Sequence, residues 1–154
     1  MRSSRPTWTR RSTRPACLVP RQRLAAGLLD TSVVIDLERI PAELLPEQVA
    51  VSVITMAELA AGPAACNDPG ERARRQDRLQ RAEAVFDPIP FTTEAARAYG
   101  RVYSAVLATG RQPRRRFADL LITSVAIAEK LPLITRNAAD FTGLEEMVEI
   151  VSIT

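Results

Sequence analysis

Short apolar runs alternate with longer amphipathic stretches along most of the chain. Four runs are predicted to be buried strands: RLAAGLLD (residues 23–30), QVAVSV (48–53), LPLITRN (131–137) and MVEIVSI (147–153). Between them, apolar positions recur with helical spacing, as at Ala95, Tyr99 and Val102. Short buried strands separated by helices predict βαβ units and a mainly parallel sheet with helices on both faces. The predicted fold class is therefore α/β, with three layers in the order α/β/α.

Five stretches between these runs are predicted to be helices: residues 31–40, 54–62, 71–86, 92–110 and 117–130. Hydroxyl residues open the first helix, and Gly62 ends the second. The last helix is apolar along most of its length and follows a basic loop at 111–116. A turn at 138–144 follows the third strand.

Length and composition narrow the class of protein. The 154 residues predict one globular domain. No apolar run approaches the roughly 20 residues of a membrane helix, and no secretory signal is recognisable, so we expect a cytoplasmic protein without membrane contact. The two cysteines lack metal-binding spacing and are interpreted as free thiols. The chain has no histidine, which excludes Ser-His-Asp and Cys-His catalysis and histidine-bound zinc.

The N-terminal segment differs from the rest of the chain. Residues 1–27 carry seven arginines and no acid, whereas the whole chain has a net charge of +3, so residues 28–154 are mildly acidic. Residues 1–23 are predicted to be a disordered basic leader, with nothing in them to pair with the sheet, and the folded domain is predicted to span 24–154. Three interpretations of the leader stay open: a basic arm for nucleic acid, a targeting peptide, or a misassigned start, which we favour.

Four acids lie at predicted strand ends or at the beginnings of helices: Asp30, Glu58, Asp119 and Asp140. In a parallel sheet, these places meet at one edge of the domain. Each acid alone also has an ordinary structural interpretation. Asp30 can cap a helix, Glu58 has capping-box spacing to Thr55, and Asp119 can complement the positive end of its helix. Asp140 has a similar three-residue spacing to Asn137.

Taken together, the four acids favour a metal site. Four carboxylates with too few nearby cations repel one another, and a hard divalent cation such as Mg²⁺ or Mn²⁺ relieves that repulsion. Such a site can hydrolyse phosphodiester bonds without histidine, with one or two metals. Thr31, Ser32 and Asn137 are expected to support the acids or bind water. Thr135 is interpreted as an ordinary strand residue.

Four arginines near these acids are expected to position an RNA backbone: Arg114, Arg115, Arg116 and Arg136. An acidic site repels phosphates, so guanidinium groups beside it would attract and orient the substrate. A second basic set, on the predicted helix at 71–86, is interpreted as a solvated face: Arg74, Arg78 and Arg81.

Three segments carry a family resemblance: LLDTS, TMAELAAG and ADLLI followed by LPLITRNAADF. With the last strand, they make residues 28–154 resemble the PIN-domain proteins, most closely the VapC-type toxins of bacterial toxin–antitoxin pairs. The resemblance implies a Mg²⁺- or Mn²⁺-dependent ribonuclease whose four acids are those named above. It also implies an RNA substrate (tRNA or rRNA), an antitoxin protein as partner, and a homodimer. The helix at 54–62 and the loop at 63–70 are the expected antitoxin surface.

Other functions remain to be weighed against a toxin. A non-toxin PIN nuclease in RNA processing is a close neighbour, and a catalytically silent PIN-like binding module is another. A receiver domain also has an acidic Mg²⁺ pocket, but it needs a lysine after a late strand. The only lysine here, Lys130, precedes that strand, and Arg136 stands at the later position.

Overall fold

The computed structural model describes residues 10–11 and 22–154, and in this part of the chain strands and helices alternate. The strands are β1 (Arg10–Arg11), β2 (Ala26–Leu29), β3 (Gln48–Ala50), β4 (Leu133–Thr135) and β5 (Ile150–Ser152). The α-helices are α1 (Thr31–Ile35), α2 (Val53–Ala61), α3 (Pro69–Val85), α4 (Thr93–Ala108) and α5 (Phe117–Glu129). Short 3-10 helices span Leu37–Arg39, Ala42–Leu44, Pro113–Arg116 and Ala138–Phe141.

The strands form one sheet in the order β1-β3-β2-β4-β5. From β3 through β5 all neighbours are parallel, which confirms the predicted parallel sheet. The chain leaves β2 for β3 on one side and later returns to β4 on the other. The carboxyl ends of β2 and β4 therefore border the crevice where open α/β sheets place their ligands.

The two faces of the sheet bury separate cores, because successive strand side chains point to opposite faces. Leu28 and Leu133 pack with apolar residues of α4 and α5 on one face. Leu29 and Ile134 pack with α1, α2 and α3 on the other. All four side chains are fully buried. This alternation confirms the predicted three-layer α/β/α arrangement.

Two predicted helix boundaries are wrong. The helix predicted for 31–40 is α-helical only to Ile35 and then continues as a 3-10 helix, since a β-branched run and the approach to Pro41 disfavour further α-helix. The helix predicted to begin at 71 begins at Pro69. There the Asp68 side chain accepts a hydrogen bond from the Glu71 amide (2.8 Å), and proline fits the first helical position.

The N-terminal segment contributes one strand to the sheet. Arg10–Arg11 pair antiparallel with Gln48–Val49 at the edge of β3, so the expectation that nothing in the leader pairs with the sheet is wrong for these two residues. The remainder of residues 1–21 lies outside the described residues, and the disorder of 1–23 and the domain boundary at 24 stay predictions. Across the part that is described, no helix is long and apolar enough to cross a membrane.

Two glycines give a matched test of packing in this fold. A Cβ on Gly27 in β2 would lie 2.9 Å from Cγ1 of Ile134 and 2.9 Å from Cγ of Pro46, whereas a Cβ on Gly100 in α4 would meet nothing within 4 Å. We expect Gly27→Ala to lower the free energy of unfolding by about 1–3 kcal/mol through overpacking. Gly100→Ala should raise it by about 0.5–1 kcal/mol through helix propensity. Urea denaturation measures both, and equal effects would contradict the packing described at β2.

Candidate metal-carboxylate site

Asp30 lies at the crevice of the sheet, immediately after β2. The register pairs Leu29 with Ile134, and the Asp30 amide donates to the Ile134 carbonyl (2.9 Å). The carboxyl group of Asp30 therefore lies beside the carboxyl end of β4. The residue is 4% exposed, so its side chain has lost most of its contact with water.

Three donors within the protein replace that water. The Thr31 amide donates to Asp30 Oδ1 (2.7 Å), while the Ser32 hydroxyl (2.9 Å) and the Thr135 hydroxyl (2.8 Å) donate to Oδ2. A buried carboxylate needs such donors, because burying it unpaired is costly. Asp30 is thus the N-cap of α1, as its simplest interpretation held, and its carboxyl group is fixed in position at the same time.

Glu58 reaches the same place from α2. Its Oε1 accepts a hydrogen bond from the Thr31 hydroxyl (2.9 Å), which also lies 3.1 Å from the Thr55 hydroxyl. Partial burial of the carboxyl group raises the pKa of Glu58, the Thr31 hydrogen bond lowers it, and the charge of Asp30 raises it, with a net increase. The capping-box alternative is wrong, because the Thr55 amide is capped by Ser52 Oγ (3.3 Å).

Asp119 is the most strongly perturbed acid. Burial at the beginning of α5 and, to a smaller extent, the charges of Asp30, Glu58 and Asp140 together raise its pKa to about 6, against a small lowering by Arg116. All three other predicted acids therefore act on this one carboxyl group. The four acids therefore lie close enough for their charges to interact, and their role as one metal site stays a prediction.

Arg116, one of the arginines expected to position RNA, also supplies a cation to the acids themselves. Its guanidinium group forms an ion pair with Asp140, on the 3-10 helix after β4, and lies 3.9 Å from Asp119 Oδ2. The Pro113–Arg116 helix leads directly into α5 and holds this side chain between two of the acids. Part of the negative charge is thus balanced by the chain itself.

The donor set fits a hard divalent cation, since carboxylate oxygens are the ligands that Mg²⁺ and Mn²⁺ prefer. Within residues 22–154, however, no three acidic or cysteine side chains lie close enough together, as they are oriented here, to hold a metal ion. Asp30 is oriented by its three donors, and Asp140 is held by Arg116. A cation at Asp140 would compete with Arg116 for this carboxyl group.

Two other predicted site residues, Asn137 and Arg136, contact the site through their backbone amides. Asn137 donates from its backbone amide to the Thr135 hydroxyl (3.0 Å). Arg136 is close to the site through its amide, 3.3 Å from Ser32 Oγ, but its guanidinium group pairs with Asp36 (2.5 Å).

The arginines before α5 also separate into two kinds. Arg115 and Arg116 line a pocket that contains Asp140, whereas Arg114 does not line it. All three are exposed. The structure thus brings two of the three predicted arginines to the site.

Thr135 is the site residue that was misinterpreted. It is fully buried, and its hydroxyl holds Asp30. A signal was present, since a hydroxyl residue ends a strand that neighbours β2 in a parallel sheet. That signal could be interpreted only with the register between β2 and β4, which are about a hundred residues apart in the sequence.

Comparison with known families identifies the class of protein. The PIN domain family matches residues 27–144. The chain therefore belongs to the PIN-domain family, as the resemblance of its motifs implied.

Within that family the chain belongs with the VapC proteins. Ribonuclease VapC5 of Mycobacterium tuberculosis is 37% identical over 134 residues, which are 84% of this chain and 96% of the relative. Ribonuclease VapC8 of the same species is 36% identical over 67% of this chain and 92% of the relative.

Solved structures agree with this assignment. The VapBC-5 toxin–antitoxin structure from M. tuberculosis matches with a TM-score of 0.71 and 35% identity, over 84% of this chain and 99% of the matched chain. The FitAcB structure from Neisseria gonorrhoeae matches with a TM-score of 0.60 and 25% identity, over 81% and 96% of the two chains.

The raised pKa of Asp119 predicts a pH dependence of stability. Because its pKa is higher in the folded protein than in the unfolded chain, the folded state holds more protons between about pH 4 and pH 6, and stability falls as pH rises through that range. Asp119→Asn removes this loss. In urea titrations with EDTA, the variant should gain stability relative to the wild type, on the order of 2 kcal/mol by pH 7. A difference that stays constant or shrinks with pH would contradict the repulsion.

Proposed function

We propose that this protein is a metal-dependent endoribonuclease and the toxin of a VapBC-type toxin–antitoxin pair. The observation that carries the catalytic part is the convergence of Asp30, Glu58 and Asp140 on the carboxyl group of Asp119. The similarity to named ribonucleases supports RNA as the substrate, with tRNA or rRNA expected.

The four carboxylates would hold Mg²⁺ or Mn²⁺, with Asp30 as the fixed reference point. The bound cation supplies a water of lowered pKa and neutralises charge on the phosphodiester. Thr31 serves two acids, because its amide orients Asp30 and its hydroxyl orients Glu58. Ser32 and Thr135 hold the other oxygen of Asp30, so they act as positioning residues.

Arg116 would neutralise Asp140 before the cation binds and contact an RNA phosphate afterwards. Its guanidinium group already lies between two of the acids, and it is 41% exposed, so it can reach a substrate at the surface. Arg136 would contribute less, because its side chain is committed to Asp36.

An antitoxin is the proposed protein partner, because the solved neighbours are toxin–antitoxin complexes. The expected surface was α2 and its following loop. A groove of about 740 Å³ lies elsewhere, between α3 and the segment from α1 through Leu37–Arg39, and we propose it as the antitoxin surface in place of α2. It contains two apolar side chains that are unusually exposed, Ile35 (43%) and Val85 (46%), beside an arginine rim. A homodimer and a cytoplasmic location stay predictions.

Nuclease activity is tested with the full chain, mixed tRNA and rRNA, and Mg²⁺ or Mn²⁺. Asp30→Asn and Asp119→Asn should each lower cleavage by at least about a hundredfold, because each removes a ligand that orients the cation. EDTA should abolish cleavage. Asp87→Asn, which changes the net charge equally at an exposed residue after α3, should leave the rate unchanged. Cleavage that survives EDTA, or equal rates in all variants, would contradict the carboxylate mechanism.

The antitoxin surface is tested with the cognate antitoxin, which the proposal expects to be encoded beside this gene. Val85→Asp should weaken its affinity for the toxin about tenfold or more, because it places a charge in the apolar part of the groove. Leu107→Asp is the control, because Leu107 is similarly exposed (50%) but lies on α4, outside the groove. Titration calorimetry measures both affinities. Equal losses, or a loss only in the control, would place the antitoxin elsewhere.

A further inference from the structure

A second, smaller pocket lies beside the carboxylate site, on the side of the α4–α5 turn. It measures about 330 Å³, and the residues that matter in its wall are Arg111, Arg115, Arg116 and Asp140. Its wall contains three arginines and one carboxylate, so the pocket is net positive although it adjoins a strongly acidic site. It shares Arg116 and Asp140 with that site, and the two are therefore continuous.

The arginines of this pocket differ in their commitments. Arg116 is paired with Asp140. Arg111 donates to the Ala139 carbonyl (3.0 Å), which ties the α4–α5 turn to the 3-10 helix that bears Asp140. In residues 22–154, the guanidinium group of Arg115 has neither a hydrogen bond nor an ion pair. The pocket therefore contains one guanidinium group that is free to bind a ligand, that of Arg115, and two that already have partners within the protein, those of Arg111 and Arg116.

We propose that this pocket binds a phosphate of the RNA substrate, one linkage away from the phosphodiester that is cleaved, and that Arg115 and Arg111 contact it. The inference rests on the proposed ribonuclease function and extends it to a second contact point on the strand. A strand whose scissile phosphate lies at the four acids continues past the Arg116–Asp140 wall. The positive pocket behind that wall then receives the next phosphate and fixes the direction of the strand.

The chain offers a matched control in Arg114. It lies on the same 3-10 helix as Arg115, is also exposed and has no side-chain partner in the described part of the protein, but it does not line the pocket. Arg114→Gln and Arg115→Gln therefore change the net charge equally and differ in their relation to the pocket.

The first experiment measures binding of a fluorescein-labelled single-stranded RNA by anisotropy, with EDTA to prevent cleavage and over a range of salt concentrations. Arg115→Gln should raise Kd about tenfold at low salt and lower the slope of log K against log salt by about 0.7, as expected for one lost phosphate contact. Arg111→Gln should have the same effect, and Arg114→Gln, outside the pocket, should change both quantities much less. Equal effects of Arg114→Gln and Arg115→Gln would overturn the proposal.

The second experiment locates the phosphate. Neutral methylphosphonate linkages are placed singly on either side of the bond that the wild type cleaves. One neighbouring linkage should weaken binding to the wild type and cause a clearly smaller loss with Arg115→Gln, because one of the two arginine contacts to that phosphate is already missing. Additive losses at every linkage would overturn the proposal.

These results are separable from failure of the proposed function. If the wild type neither binds nor cleaves RNA, the ribonuclease function is wrong and this inference falls with it. If the wild type cleaves RNA but Arg115→Gln behaves like Arg114→Gln, only the phosphate pocket is wrong. If Arg115→Gln weakens antitoxin binding and leaves RNA binding unchanged, the pocket recognises a protein, and the proposal is again wrong.

Discussion

The site depends on one buried carboxylate. It lies between β2 and β4, where the connections from neighbouring strands run to opposite sides of the sheet. Asp30 is almost inaccessible to water, and its charge is supported by an amide and two hydroxyl groups. Those donors come from the first turn of α1 and the end of β4, so the acid can be placed only when both strands are paired in register. The sheet that buries Asp30 also determines where Glu58 and Asp119 can approach it.

Bringing several carboxylates close together is unfavourable because they repel one another, yet this structure keeps them close. Asp119 lies at the beginning of an otherwise apolar helix and is repelled by three acids, with Arg116 offsetting only part of that repulsion. Structural ion-pair networks usually balance their charges, whereas sites that bind a cation keep an excess of negative charge for it. We therefore propose a bound cation, rather than stability, as the reason for this arrangement. On the proposed function, the adjoining arginine pocket would compensate for the repulsion that an acidic site imposes on a nucleic acid.

The sequence was informative where chemistry follows from strand ends. The four acids could be predicted as a group, because the carboxyl ends of parallel strands share an edge. Thr135 could not be recognised, because its role depends on register with a strand distant in sequence. The selective pairing of Arg116 with Asp140 was equally hidden, since three consecutive arginines look alike until the 3-10 helix orients each one. The early end of α1 was decided by local backbone preferences that a hydrophobic pattern does not express.

The central claim is that the four carboxylates form one site for a divalent cation. Its most direct test is to titrate the full chain with Mn²⁺. Binding is measured as the loss of the electron paramagnetic resonance signal of the free ion. The wild type should bind Mn²⁺, and Asp30→Asn and Asp119→Asn should each bind it at least tenfold more weakly. Equal binding by the wild type and both variants would contradict the claim.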